Sequence, residues 1–133
     1  MPYKILIVDD VPEMGELIRV TILGTGPIPN AQDSIPECEV RVARTVFEAE
    51  RAILRDRPDL LLLDEIIPGE NPYSLLGLPA LEASPAPTRV VLITAAYQEG
   101  RPLPKGAHAR WPKWGWREIR EARARIAELL NQG

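Results

Sequence analysis

Short apolar runs that each stop at a polar residue limit this chain to very few folds. Tyr3–Val8 (Tyr-Lys-Ile-Leu-Ile-Val) stops at Asp9-Asp10, and Asp59–Leu63 stops at Asp64. Thr88–Ile93 stops at Thr94, and Ala107–Trp111 ends just before Lys113. A further run, Glu39–Ala43, puts Val40 and Val42 on one face. Runs of this length, rich in Val, Ile and Leu, are strands and are too short for buried helices. The segments between them carry a helical period. Pro12 suits a first helical turn, and Met14, Leu17, Ile18 and Ile22 continue a helix to about Leu23. Thr45 can cap a helix carrying Val46, Ala49, Ile53 and Leu54, which Pro58 closes off. Pro68-Gly69 and Asn71-Pro72 mark a turn before a short helix around Ser74–Ala83. Ala95–Gly106 is broken by Gly and Pro and leaves room only for a short helix. Gly115–Leu130 gives the strongest helical pattern, with Ile119, Ala122, Ile126, Leu129 and Leu130 as its apolar stripe. Strands alternating with helices predict an α/β fold, a parallel sheet covered on both faces. Such sheets bind ligands at the carboxyl ends of their strands.

The 133 residues suit one domain, 1–133, with 24–37 as an inserted surface loop because Gly and Pro punctuate Gly24–Pro36. Composition excludes several classes. With 45% hydrophobic and 26% charged residues the chain can bury a core, which argues against disorder. No apolar run approaches the ~20 residues of a membrane span, and the acidic pair Asp9-Asp10 excludes a signal peptide at the start. A single cysteine, Cys38, forms no internal disulfide and suits a cytoplasmic protein; it reads as a small apolar filler at a strand start. The net charge of −3 excludes a general binder of nucleic acid or other polyanions.

In a parallel sheet the strand ends converge, so Asp9, Asp10, Asp64, Thr94 and Lys113 meet at one edge. Three gathered carboxylates repel one another unless a cation offsets them. An all-oxygen acidic set suits a hard divalent ion, Mg²⁺ above all. Zinc is a poor match, since His108 is the only histidine and Cys38 the only cysteine. A carboxylate beside a metal, a hydroxyl and an ammonium is equipped for phosphoryl transfer. Each residue also has a plainer reading: acids after apolar strands serve as helix N-caps, and Asp10 could cap the helix that Pro12 begins.

Together these motifs identify a resemblance. Ile-Leu-Ile-Val-Asp9-Asp10, Leu-Leu-Leu-Leu-Asp64-Glu65-Ile66-Ile67-Pro68-Gly69, Val-Val-Leu-Ile-Thr94-Ala-Ala and Lys113 occur in order. Over essentially its whole length the chain resembles a response-regulator receiver domain. The resemblance implies a flavodoxin-like, doubly wound five-stranded parallel sheet of order 2-1-3-4-5. It also implies phosphoryl transfer onto Asp64 from a sensor histidine kinase or a histidine phosphotransfer protein. Asp9, Asp10, Asp64 and the backbone carbonyl of Ile66 would hold Mg²⁺, and Thr94 and Lys113 would contact the phosphoryl group. Output would be contact with a downstream protein or formation of a homodimer, from a stand-alone receiver. The alternative expectation is a receiver-shaped binding module regulated without phosphorylation. A phosphatase of the same topology lacks a general acid, having Ile66 two residues after Asp64. In a flavodoxin, Asp9-Asp10 would repel the flavin phosphate.

The chain departs from the family pattern around Lys113. The family usually has Lys-Pro where this chain has Lys113-Trp114, and Pro112 precedes the lysine instead. Three residues before Lys113, where the family's switch aromatic lies, stands Arg110, with Trp111 the nearest aromatic. Glu65 adds an acid beside Asp64 or faces solvent in a loop. Ile66 and Ala96 flank the usual line of water attack and cannot orient a water, which implies slow dephosphorylation. Trp111, Trp114 and Trp116 either seal the base of the last helix or form an interaction site, and the Arg117–Arg125 series is a solvated face or a partner surface. His108 reads as structural.

Overall fold

In the computed structural model, residues 3–23, 38–83, 87–95, 98, 100–112 and 128 are described. Strand β1 is Tyr3–Val8, helix α1 Pro12–Leu23, strand β2 Cys38–Ala43, helix α2 Val46–Arg55 and strand β3 Leu60–Asp64. Strands β4 (Arg89–Thr94) and β5 (Ala109–Pro112) follow. The loop 24–37, Ala96, Lys113, Trp114, Trp116, the Arg117–Arg125 series and the helix expected at Gly115–Leu130 lie outside the described residues.

All five strands are parallel, in the order β2-β1-β3-β4-β5. This is the expected doubly wound arrangement, and its register follows from side-chain alternation. Leu62 lies opposite Ile7, and Val91 opposite Leu62. One face therefore gathers Ile5, Ile7, Leu60, Leu62, Val91 and Ile93 beneath Ile18 of α1. The other gathers Leu6, Val8, Leu61, Leu63, Val90 and Leu92 beneath Ala49 and Ile53 of α2. Strand β3, central and covered on both faces, is buried along its entire length, which explains its uninterrupted run of leucines.

Local signals in the sequence set most element ends. Thr45 accepts the Glu48 N–H through Oγ1 at 3.0 Å, capping α2. Val40 and Val42 of β2 pack on the α1 face of the core, beside half-buried Cys38. Three expectations need correction. Leu54 does not join the core: it is 63% exposed on the outer side of α2, because Ala49 and Ile53 already fill the inward positions. The helix expected around Ser74–Ala83 is two 3₁₀ segments, Pro72–Gly77 and Pro79–Glu82. Pro79 has no N–H with which to continue the first segment's hydrogen bonding, so the chain restarts there. The last strand begins at Ala109, two residues later than the expected Ala107. His108 instead makes a local junction with β4: its Nδ1 accepts the Val90 N–H at 2.9 Å, and its own N–H donates to the Val90 carbonyl at 2.8 Å. Among the described residues of 95–108 no helix forms.

Candidate functional site

Because β1 and β3 are neighbours in register, Val8 lies opposite Leu63, and the acids that follow each strand leave the sheet on the same edge. Asp9, Asp10 and Asp64 each bring one carboxylate oxygen within 4.8 Å of the others. Asp9 is 1% exposed and Asp64 2%, while Asp10 is half-buried. The start of α1 helps fix this geometry: Asp9 Oδ1 accepts the Val11 N–H at 2.9 Å, so Asp9, rather than Asp10, meets the helix end. Asp64 is held in the same way, its Oδ1 accepting the Ile66 N–H at 3.0 Å. That bond turns the backbone back immediately after β3.

The next strand supplies the hydroxyl. Asp64 lies opposite Ile93, one residue before Thr94, which is fully buried. Thr94 in turn lies opposite Pro112, and Lys113 follows beyond the described residues. The sheet therefore brings Asp9, Asp10, Asp64 and Thr94 to one edge, as their positions in the sequence predict.

The donor set fits a hard divalent cation. All three side chains offer oxygen, and oxygens within 4.8 Å of one another match the roughly 4 Å across which Mg²⁺ places opposite ligands. Buried carboxylates so close together destabilise one another without a counter-charge. Asp9→Asn removes one of these three carboxylates, and Mg²⁺ affinity measured by calorimetry is expected to fall about tenfold or more. Equal affinity in the variant would remove Asp9 from the ligand set.

A second cluster adjoins the first and was not legible as one. Glu65, read as a possible solvent-facing residue, is buried, its side chain 2% exposed. It pairs with Arg110 of β5, whose side chain is 5% exposed. Arg110 Nη2 donates to Glu65 Oε1 at 2.8 Å, and Nε lies 3.1 and 3.0 Å from the two carboxylate oxygens. Tyr73, from the first 3₁₀ segment, donates its hydroxyl to Oε1 at 2.8 Å. Arg110 Nη1 donates to the carbonyls of Arg101 and Pro102 at 3.0 and 3.1 Å. Burial alone would push the Glu65 carboxyl up, but the bonds from Arg110 and Tyr73 outweigh it and hold it below the usual carboxylate range. Burial and the Glu65 carboxylate push the Tyr73 phenol up. The available signal was an arginine at the position facing Leu63 and Leu92, between Ala109 and Trp111 on a strand. An arginine there needs a buried acid, and Glu65 is the one that the fold supplies.

No family model matches the chain, and no curated protein matches it in sequence. Solved structures do. The response regulator domain of Thermotoga maritima CheB superposes with a TM-score of 0.73 at 22% identity, covering 98% of each chain. A CheY-like receiver domain protein from Methanospirillum hungatei gives 0.70 at 22% identity over the whole of both chains. The BeF3-activated N-terminal receiver domain of Klebsiella pneumoniae RstA gives 0.65 at 29% identity, over 93% of this chain and 97% of that one. The chain has the receiver-domain fold of response regulators.

Proposed function

We propose that this receiver-fold chain is a phosphoacceptor in two-component signalling, taking a phosphoryl group onto Asp64 from a phosphohistidine partner. That partner is a sensor histidine kinase or a histidine phosphotransfer protein. The observation that carries the reading is the meeting of Asp9, Asp10 and Asp64, within 4.8 Å of one another, at the strand edge beside buried Thr94. Asp9, Asp10, Asp64 and the carbonyl of Ile66 would hold Mg²⁺, which when bound neutralises charge on the phosphoryl oxygens.

The protein's own groups do the rest. The Asp64 carboxylate attacks phosphorus, an O–P bond forms and the N–P bond breaks, and the electron pair returns to the histidine nitrogen, which takes up a proton. The Ile66 N–H on Oδ1 fixes the carboxylate's orientation before attack. Thr94 donates its hydroxyl to the transferred group, and Lys113 contributes a positive charge. The modified side chain carries about −1.5 to −2 charge in place of the carboxylate's −1, and the output is contact with a downstream protein or a second copy.

Phosphoramidate, an N–P donor like phosphohistidine, tests this with Mg²⁺ present. The product is expected to be an acyl phosphate, so hydroxylamine should strip the label and leave a hydroxamate at residue 64. A label that resists hydroxylamine would place the phosphoryl group on a hydroxyl, and one lost without a hydroxamate would place it on a nitrogen; either contradicts the reading. Ile66 has no polar side-chain atom to orient an attacking water, and neither has Ala96. The label is therefore expected to persist for minutes or longer in buffer, and its release within seconds would contradict this assignment.

A further inference from the structure

We propose that Arg110, held by Glu65, is the positioning residue that couples the Asp64 carboxylate to the 101–110 segment. The proposal rests on the phosphoacceptor reading and deepens it. Glu65 follows Asp64 directly, and its N–H donates to the Ile93 carbonyl at 3.0 Å, one residue before Thr94. Its carboxylate is the buried anion for Arg110, and that same guanidinium carries the Arg101 and Pro102 carbonyls. One side chain thus joins the residue after the phosphoacceptor, the β4–β5 connection and, through the shared carboxylate, Tyr73. In a segment where no helix forms among the described residues, this fork does the work of a helix in fixing the chain.

The link responds to charge. A phosphoryl group on residue 64 replaces one negative charge by about two, one residue from the buried Glu65 carboxylate, and the added like charge disfavours that carboxylate. The added repulsion weakens the hold of Glu65 on Arg110, and any movement of the guanidinium withdraws donors from the Arg101 and Pro102 carbonyls. The effect reaches the surface: Ile66, Tyr73 and Leu103, all partly exposed, belong to the segments that this fork ties together. An arginine that only filled space would hold its partners equally in both states.

Amide hydrogen exchange of the full chain, with and without acetyl phosphate and Mg²⁺, separates these cases when intact mass is recorded on the same samples. The reporters are the amides of Arg101, Ala107 and His108, hydrogen-bonded to Gln98, Pro104 and Val90. In the phosphorylated wild type they are expected to exchange about tenfold faster. Arg110→Lys keeps the charge but loses the fork, so these amides should exchange fast with or without the phosphoryl group while uptake at Asp64 continues. Glu65→Gln, which retains an acceptor for Tyr73, should behave in the same way and serves if Arg110→Lys does not fold. Unchanged exchange in a wild type shown to be phosphorylated overturns the proposal. So does a tenfold response that survives in either variant. A wild type that takes up no phosphoryl group from acetyl phosphate, from phosphoramidate or from a phosphorylated histidine kinase overturns the phosphoacceptor reading itself, and this inference falls with it.

Discussion

Arg110→Met is expected to cost about 3–5 kcal/mol of folding stability, because it leaves the Glu65 carboxylate buried with its cation gone. The pair is well placed for so large an effect: the two side chains are 2% and 5% exposed, the carboxylate accepts from both Nε and Nη2, and Nη1 serves two carbonyls that no other described donor is seen to reach. Replacing both partners tells the cost of an orphaned charge from the worth of the pair. Glu65→Leu with Arg110→Met should recover most of the loss, since well-packed apolar substitutes for buried ion pairs are often neutral. Urea unfolding of the two single variants and the double measures this, and additive losses would show that Arg110 acts mainly through the carbonyls of Arg101 and Pro102.

The pH dependence has a definite sign. Arg110 and Tyr73 hold the folded Glu65 carboxyl below its ordinary value of 4.5, so the unfolded chain binds this proton more readily. The pair's contribution is complete above about pH 4.5 and is lost as the pH falls through the folded value. In Glu65→Gln that part of the acid destabilisation should disappear. An acid profile identical to wild type would mean that other carboxylates govern it.

The parts of the structure legible in the sequence are those that local pattern determines. The leucine run of β3 can only be a doubly covered strand, and Asp64 at its end can only reach the sheet edge. Thr45 announces its helix by cap chemistry alone. The carboxylate site was legible for the same reason: parallel strands in this order must gather their terminal residues, whatever the loops do. What escaped reading depends on contacts between residues far apart in the chain. Glu65 and Arg110 are 45 residues apart, and although each departs from the family pattern, nothing joins them until β5 pairs beside β4. A tyrosine after Asn71-Pro72 looks like a turn residue until its hydroxyl is seen on Glu65, as Tyr73 shows. Leu54 failed in the opposite sense: it fits the helical period, but a narrow apolar stripe on α2 suffices to cover its part of the sheet.

Asp64→Asn should abolish phosphoryl uptake entirely while leaving the fold in place. Asparagine is nearly isosteric, and its carbonyl oxygen can still accept the Ile66 N–H that Asp64 Oδ1 accepts. It lacks the anionic oxygen that forms the new bond to phosphorus. Removing one of three crowded carboxylates also relieves repulsion, so loss of uptake cannot be blamed on unfolding if the variant melts no earlier than wild type.

The most direct measurement is the intact mass of wild type and Asp64→Asn after incubation with acetyl phosphate, with and without Mg²⁺. Wild type should gain one phosphoryl group only when Mg²⁺ is present, and the variant none. Equal gain in both proteins would contradict Asp64 as the acceptor. No gain in wild type from acetyl phosphate, from phosphoramidate or from a phosphorylated histidine kinase would contradict the phosphoacceptor role.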